Sequence, residues 1–280
     1  MEVVSRIAFP YYGGKNTQLS WLLPLLPYAI KYIEPYGGSA AVLLNRARST
    51  MEIYNDLDHT VVNFFRVLRD RGPELIEKLR LTPFARYEHD HCLDPTVDEL
   101  EAARRFFVKS RQTFMTIVDA GTWAAAPTQI RRGVSQVISR WLSGIEGLME
   151  VVERLRLVVI EDRPAIDVIE KYDDEDAVMY CDPPYYREVL VRKRGYACEM
   201  TEQDHSELLD CLMECKGAVA ISGYDNDLYN DKLKKWFRYE DRWKRLGGDR
   251  TGIRQEILWC NYDPMSVRSV GQSSLGDYID

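Results

Sequence analysis

Short apolar runs closed by turn residues recur along this chain and alternate with helix-like stretches. "AIKYIEP" (29–35), "TMEIYND" (50–56), "LRLVVIED" (155–162), "AVMYCDPP" (177–184), "GAVAISGY" (217–224) and "EILWCNY" (256–262) are rich in β-branched and aromatic residues. They read as buried strands. "SAAVLLNRA" (39–47), "AIDVIEKY" (165–172) and "HSELLDCLMEC" (205–215) read as helices between them. That order predicts an α/β fold, a mostly parallel sheet with helices on both faces. From about Asn63 to Ser143 the pattern is helical, with Phe and Arg interleaved in "ARRFFVKSRQTF" (103–114) and no clear strand. This stretch is expected to be a helical insertion between two parts of the sheet.

Charge decides which partners are open. The net charge of −7 argues against a polyanion, but the distribution is uneven. Residues 101–145 hold seven Arg/Lys against two acids, residues 231–256 nine against five, and residues 186–194 four against one. Local patches of this kind, and not the total, decide whether a phosphate backbone can be met. The longest apolar run, Trp21 to Ile30, is broken by Pro24 and Pro27, so no membrane span is expected. The start lacks a basic segment followed by an apolar core, and a cytoplasmic location is expected. The six cysteines form no CxxC pair and there are only four histidines. No metal site is expected, and free thiols are the default.

Three stretches carry the chemistry. In "YIEPYGGSAAVLLN" (32–45) a strand runs into a Gly-containing turn and a helix start. Gly37 and Gly38 let the backbone approach a ligand, and Ser39 can cap the helix. Asp56 ends the next strand, where an acid can accept hydrogen bonds from ribose hydroxyls. Neither GxGxxG nor GxxxxGK[ST] occurs, which disfavours NAD and ATP. Ahead of this unit, "FPYYGGK" (9–15) offers Lys15 to a carboxylate and Tyr11 to a purine.

"DPPY" (182–185) follows the strand "AVMYC". It falls at the carboxyl end of that strand, where ligands bind in open α/β sheets. The Asp182 carboxylate and the Pro183 carbonyl, fixed by the proline ring, are two acceptors. Converging on an amino group, they would hold both N–H bonds and aim the nitrogen lone pair at an electrophile. Tyr185 then supplies a stacking face for a planar heterocycle, worth ~1–3 kcal/mol per base. The chemistry is methylation of an exocyclic amine on a flipped base.

The ordered set "FPYYGGK", "IEPYGGS", "IYNDLD", "VVIED", "CDPPY" and "GGDRTGIRQEILW" resembles the Dam-type (group alpha) DNA adenine-N6 methyltransferases and covers most of residues 7–262. The resemblance implies a Rossmann-like seven-stranded methyltransferase sheet with a helical target-recognition insert. It implies a catalytic domain over 1–62 and 144–262, the insert at 63–143 and a polar, flexible tail at 263–280. S-adenosyl-L-methionine is the implied cofactor and double-stranded DNA the implied partner; the oligomer, monomer or dimer, stays open. By position, Tyr11, Gly14, Lys15, Glu34, Pro35, Tyr36, Gly37, Gly38, Ser39, Asp56, Asp162 and Asp182 match cofactor contacts. Asp182, Pro183, Pro184 and Tyr185 match the catalytic tetrapeptide. Arg250 and Arg254 match a segment that meets the DNA backbone. The basic stretches add Arg104, Arg105, Lys109, Arg111, Arg131, Arg132 and Lys193 as expected DNA contacts.

Members often show Trp-Ala where this chain has Tyr11-Tyr12. The insert also lacks the Asn-Arg…Asn-Gly…Arg pattern of GATC-specific members, and "KSRQTFMTIVDAGTWA" (109–124) stands in its place. Activity is therefore implied without GATC recognition. Adenine-N6 methylation of RNA, cytosine-N4 methylation and a catalytically silent DNA-binding protein of the same fold are the alternatives.

Overall fold

The structure is a computed structural model describing residues 6–11, 13–114, 122–124, 130–131, 133–186, 199–241, 244–245 and 253–267. Seven strands form the main sheet: β1 (Lys31–Glu34), β2 (Met51–Asn55), β3 (Val158–Glu161), β4 (Ala177–Cys181), β5 (Ala218–Tyr224), β6 (Phe237–Glu240) and β7 (Glu256–Cys260). Their spatial order is β6-β7-β5-β4-β1-β2-β3. Only β7 runs against its neighbours; the other adjacent pairs are parallel. This is a Rossmann-like sheet. The chain winds outward from β1 through β2 to β3, then crosses back to β4 on the other side of β1. That crossing leaves a crevice at the carboxyl ends of β1 and β4, the place where such sheets bind ligands.

The two faces follow from strand periodicity, since successive side chains point to opposite sides. Tyr32, Tyr54, Val178, Tyr180, Ala220 and Leu258 face one buried cluster. Ile33, Ile53, Met179, Cys181, Val219, Ile221, Ile257 and Trp259 face the other. Helices α1 (Ala41–Asn45), α2 (His59–Leu81), α3 (Glu99–Gln112), α4 (Gln136–Glu146) and α5 (Leu148–Leu155) lie on the first face. Helices α6 (Ala165–Tyr172) and α7 (Glu202–Met213) cover the second. Asp58 and Asp98 cap α2 and α3, accepting from the Thr60 and Leu100 amides. Thr201 and Asp204 form a reciprocal capping box at α7.

Three findings differ from the sequence reading. Strand β6 is absent from the six apolar runs, because as an edge strand it is largely exposed and has no apolar alternation to read. Both ends of the 63–143 segment fall inside helices, α2 and α4, and not at element boundaries. Phe64, Phe65 and Phe107 sit in the same cluster as Tyr54 and Phe9, with Phe64 and Phe107 stacked at 6.0 Å. The segment also contains short antiparallel pairings, Thr113–Phe114 with Thr122–Trp123 and Ile130–Arg131 with Val134–Ser135. No described helix is long and apolar enough to cross a membrane.

Candidate active site

The crevice holds a cavity of about 330 Å³. Its floor is the turn after β1. The Gly37 amide donates to the Asn55 carbonyl at 2.8 Å, and the Gly38 amide donates to Asp56 Oδ2 at 2.7 Å. Gly38 has φ +48°, a conformation that favours glycine. The Tyr54 hydroxyl donates to the Gly38 carbonyl at 2.7 Å, tying the turn to β2. Burial pushes the Asp56 carboxyl up to about 6, against the opposing hydrogen bonds from the Asp58 and Gly38 amides.

Glu34, at the end of β1, is almost fully buried. It accepts from the Leu43 amide at 3.0 Å and the Tyr32 hydroxyl at 3.2 Å. Burial outweighs both hydrogen bonds and pushes its carboxyl from 4.5 up to about 8. The folded value lies above the unfolded one, so the contribution of Glu34 to stability is complete below about 4.5 and is lost as pH rises through about 8. Thermal melts of ligand-free protein should therefore fall between pH 6 and 8.5, above the range in which Asp56 titrates. Glu34→Gln, which mimics the protonated acid, should flatten that decline. An unchanged slope in the variant assigns the loss to another group.

Five linked side chains stand on the opposite side, of which Lys15 and Asp182 line the cavity. Asp182 follows β4, and Lys15 Nζ lies 2.5 Å from its Oδ1 and 2.6 Å from its Oδ2. Ser222 on β5 donates its hydroxyl to Asp182 Oδ1 at 2.8 Å. Lys15 also donates to the Tyr185 hydroxyl oxygen at 2.7 Å and lies 3.3 Å from Glu256 Oε1. The Tyr185 hydroxyl in turn donates to Glu256 at the start of β7. Burial opposes the charge on Lys15, but the Asp182 and Glu256 carboxylates outweigh it and hold the ammonium above its ordinary value.

Every residue expected to hold the cofactor lines the cavity except Asp162. Its side chain is 39% exposed and pairs with His59 at 2.8 Å, while Arg163, Pro164, Ala165 and Ile166 just after it line the cavity. Ser39 does not cap α1. Its Oγ is buried without a hydrogen-bond partner among the described residues, and the residue at the helix start is Ala40, in the left-handed region. Asp182 and Pro184 line the cavity, whereas Pro183 and Tyr185 do not. Tyr185 is only 7% exposed and meets Tyr224 edge-on at 4.6 Å. It does not present the open stacking face expected from sequence, because its hydroxyl is drawn inward by Lys15 and Glu256. Tyr186 packs edge-on against His205.

The expected DNA contacts divide. Arg104 pairs with Glu88 at 2.5 Å and Glu101 at 2.7 Å, and Arg105 pairs with Glu101 at 2.9 Å. Arg111 is turned inward beside Gly144, with its guanidinium near the Ala8 carbonyl at 3.3 Å; burial pushes its pKa down to about 10. All three side chains are held by groups within the chain. Lys109 is half-buried on the same helix, and Arg131 is exposed. Arg132, Lys193, Arg250 and the Arg254 side chain lie outside the described residues. Sequence reading missed Ser222 and Glu256. The visible signal was an acid opening the apolar strand "EILWC".

A model of the D12 class N6 adenine-specific DNA methyltransferases matches residues 11–119 and 144–246. The chain belongs to this family. The match spans the Lys15 turn, the Gly37–Gly38 turn and the Asp182-Pro-Pro-Tyr185 tetrapeptide. A DNA N-6-adenine-methyltransferase of Escherichia phage P1 is 24% identical over 90% of this chain. The chain spans only 35% of that relative's length. Among solved structures, the rRNA methyltransferase aviRa from Streptomyces viridochromogenes is similar at 13% identity, covering 93% of this chain and 89% of that one with a TM-score of 0.42. A putative methyltransferase yhhF from Escherichia coli is similar at 10% identity, covering 88% and 84%, with a TM-score of 0.35. Among the described residues no cluster of His, Cys, Asp and Glu is placed to hold a metal in this family member.

Proposed function

We propose that the protein is an S-adenosylmethionine-dependent DNA methyltransferase that modifies the N6 amine of an adenine extruded from the duplex. The observation that carries this reading is Asp182, placed by β4 at the wall of a cavity that opens on the crevice between β1 and β4. The cavity suits the cofactor in shape and charge. The Gly37–Gly38 turn lets a ligand approach the backbone, and the buried Ser39 Oγ has an unused hydrogen-bonding capacity. Its acids other than the protonated Glu34 (Asp56, Asp58, Asp182, Glu199, Asp204 and Glu207) outnumber Lys15 and Arg163, which favours a ligand bearing a sulfonium and an ammonium. Asp56 is the acceptor for ribose hydroxyls. When bound, S-adenosylmethionine supplies an electrophilic methyl group.

Asp182 does the rest through one oxygen. A carboxylate offers about two acceptor sites per oxygen. Among the described residues, Oδ1 receives Lys15 and Ser222, and Oδ2 receives Lys15 alone. Oδ2 therefore keeps one site for an amine N–H. Residues 63–143 and the exposed Arg131 are the proposed target-recognition part, acting on double-stranded DNA.

Expression in a methylation-free host, followed by single-molecule sequencing of its genome, tests this function. N6-methyladenine at a recurring motif is the expected result. N4-methylcytosine would reassign the base, and methylated RNA with unmodified DNA would reassign the substrate. No modified base from protein that binds S-adenosylmethionine would overturn the reading in favour of a silent binding protein.

A further inference from the structure

Glu256 stands behind the site. It lies 74 residues beyond Asp182 in sequence, on the one strand that runs against the rest of the sheet. It is 6% exposed and does not line the cavity. An acid this deep is costly unless it is paired and hydrogen-bonded. Both conditions are met by groups of the active site: the Lys15 ammonium at 3.3 Å and the Tyr185 hydroxyl.

The direction of the hydrogen bonds gives Glu256 its role. Lys15 has three protons and no acceptor. They are shared among both Asp182 oxygens, the Tyr185 oxygen at 2.7 Å and Glu256, with the Gly13 carbonyl more distant at 3.5 Å. Because the Tyr185 oxygen receives from Lys15, its own proton must go elsewhere, and it goes to Glu256. Glu256 is thus the terminal acceptor of a chain running from Lys15 through Tyr185. Two carboxylates share one buried ammonium, and each fixes where the other meets it.

We propose that Glu256 is a positioning residue for methyl transfer, anchoring Lys15 and the Tyr185 hydroxyl so that one acceptor site on Asp182 Oδ2 stays open for the target amine. This rests on the function proposed above. Without Glu256, the buried Tyr185 hydroxyl loses the carboxylate it donates to. The remaining carboxylate on the same ammonium is Asp182, and its open site is the one the substrate needs. Loss of Glu256 then acts on turnover through a competing hydroxyl, while the cofactor-holding turn at Gly37 and Gly38 is untouched.

The experiment measures single-turnover transfer of labelled methyl from S-adenosylmethionine to genomic DNA of a methylation-free host. Glu256→Ala should lower the rate constant by about 10- to 100-fold, the scale of loss when a reacting group is misplaced. The dissociation constant for S-adenosylmethionine should stay within about twofold. Glu256→Gln keeps the volume and an acceptor for the tyrosine and should recover a good part of the rate. It also carries the test if the alanine variant does not fold. The decisive arm is the cycle with Tyr185→Phe, which deletes the competing proton. Glu256→Ala should cost much less in that background than in wild type, a non-additive cycle of the kind expected for coupled neighbours. A wild-type rate in Glu256→Ala, or losses that multiply independently with Tyr185→Phe, overturns the positioning role while leaving the enzyme intact. Wild-type protein that transfers no methyl to any DNA overturns the proposed function, and the inference with it.

Discussion

Asp182→Ala is expected to lower methyl transfer by about 10²–10³-fold or more, the scale seen when one pre-organised polar group is removed from a reacting centre. The protein should remain folded. Lys15 keeps Glu256 at 3.3 Å and the Tyr185 oxygen at 2.7 Å, so the buried cation still has a carboxylate beside it. Asp182→Asn should fare little better, although an amide retains one acceptor oxygen. Both carboxylate oxygens of Asp182 lie within 2.6 Å of Lys15 Nζ. The amide NH2 must occupy one of those places and would then face an ammonium, donor against donor. If the amide oxygen instead takes the position bound by Lys15 and Ser222, the NH2 points at the target amine. Neither orientation reproduces the carboxylate: one sets a donor against Lys15 and Ser222, the other sets a donor against the target amine. Thermal melting and calorimetry with S-adenosylmethionine check that fold and cofactor affinity survive, and single-turnover transfer reads the loss. Turnover at the wild-type rate in the alanine variant would remove Asp182 from the mechanism.

The sheet was legible in the sequence because its buried strands write their burial locally. Tyr32 and Ile33, Tyr54 and Ile53, and Tyr180 and Met179 are neighbours that face opposite clusters, and such pairs fill both sides of a covered sheet. The exposed edge strand β6 writes nothing of the kind. The turn at Gly37 and Gly38 was legible for the same local reason, and so was the place of Asp182 after β4. What could not be read is pairing over distance. Lys15 and Asp182 are 167 residues apart, and no local pattern says that a lysine in a glycine turn will enter that cluster instead of facing solvent. Counting charges also hides how the arginines are held. Glu101 lies three and four residues before Arg104 and Arg105 on α3, a local pair, whereas Glu88 reaches Arg104 from sixteen residues upstream. Arg111 lies against carbonyls at the opposite end of the described chain. Tyr185 is the sharpest instance. Its tetrapeptide suggested an exposed ring, and only the position of Glu256 on β7 shows why its hydroxyl points inward.

Gly37→Ala is expected to be among the most damaging single changes in the turn proposed to hold the cofactor, for a reason distinct from backbone freedom. A Cβ at position 37 would lie 2.1 Å from Tyr54 Cε2 and 2.5 Å from its Cδ2. The neighbour is no flexible chain end. Tyr54 is fully buried, its ring meets Phe65 edge-on at 5.0 Å, and its hydroxyl is tied to the Gly38 carbonyl at 2.7 Å. To make room, either the ring must leave its place in the core or the turn must lift off β2. The first breaks aromatic packing. The second separates the Gly37 amide from Asn55 and the Gly38 amide from Asp56, and so moves the acceptor proposed for the ribose. Overpacking of this kind costs about 1–3 kcal/mol and occasionally more; with a rigid buried ring as the obstacle, the upper end is expected. Melting should drop by several degrees, and S-adenosylmethionine affinity should fall more than tenfold. Gly14→Ala is the control on the facing turn, where the nearest atoms to an added Cβ are the Tyr11 carbonyl oxygen at 3.1 Å and Ser39 Oγ at 3.3 Å. Its effect should be clearly smaller. Tyr54→Leu in the Gly37→Ala background should restore part of the affinity by vacating the space the methyl needs. If Gly37→Ala melts and binds like wild type, contact with Tyr54 does not set the shape of the turn.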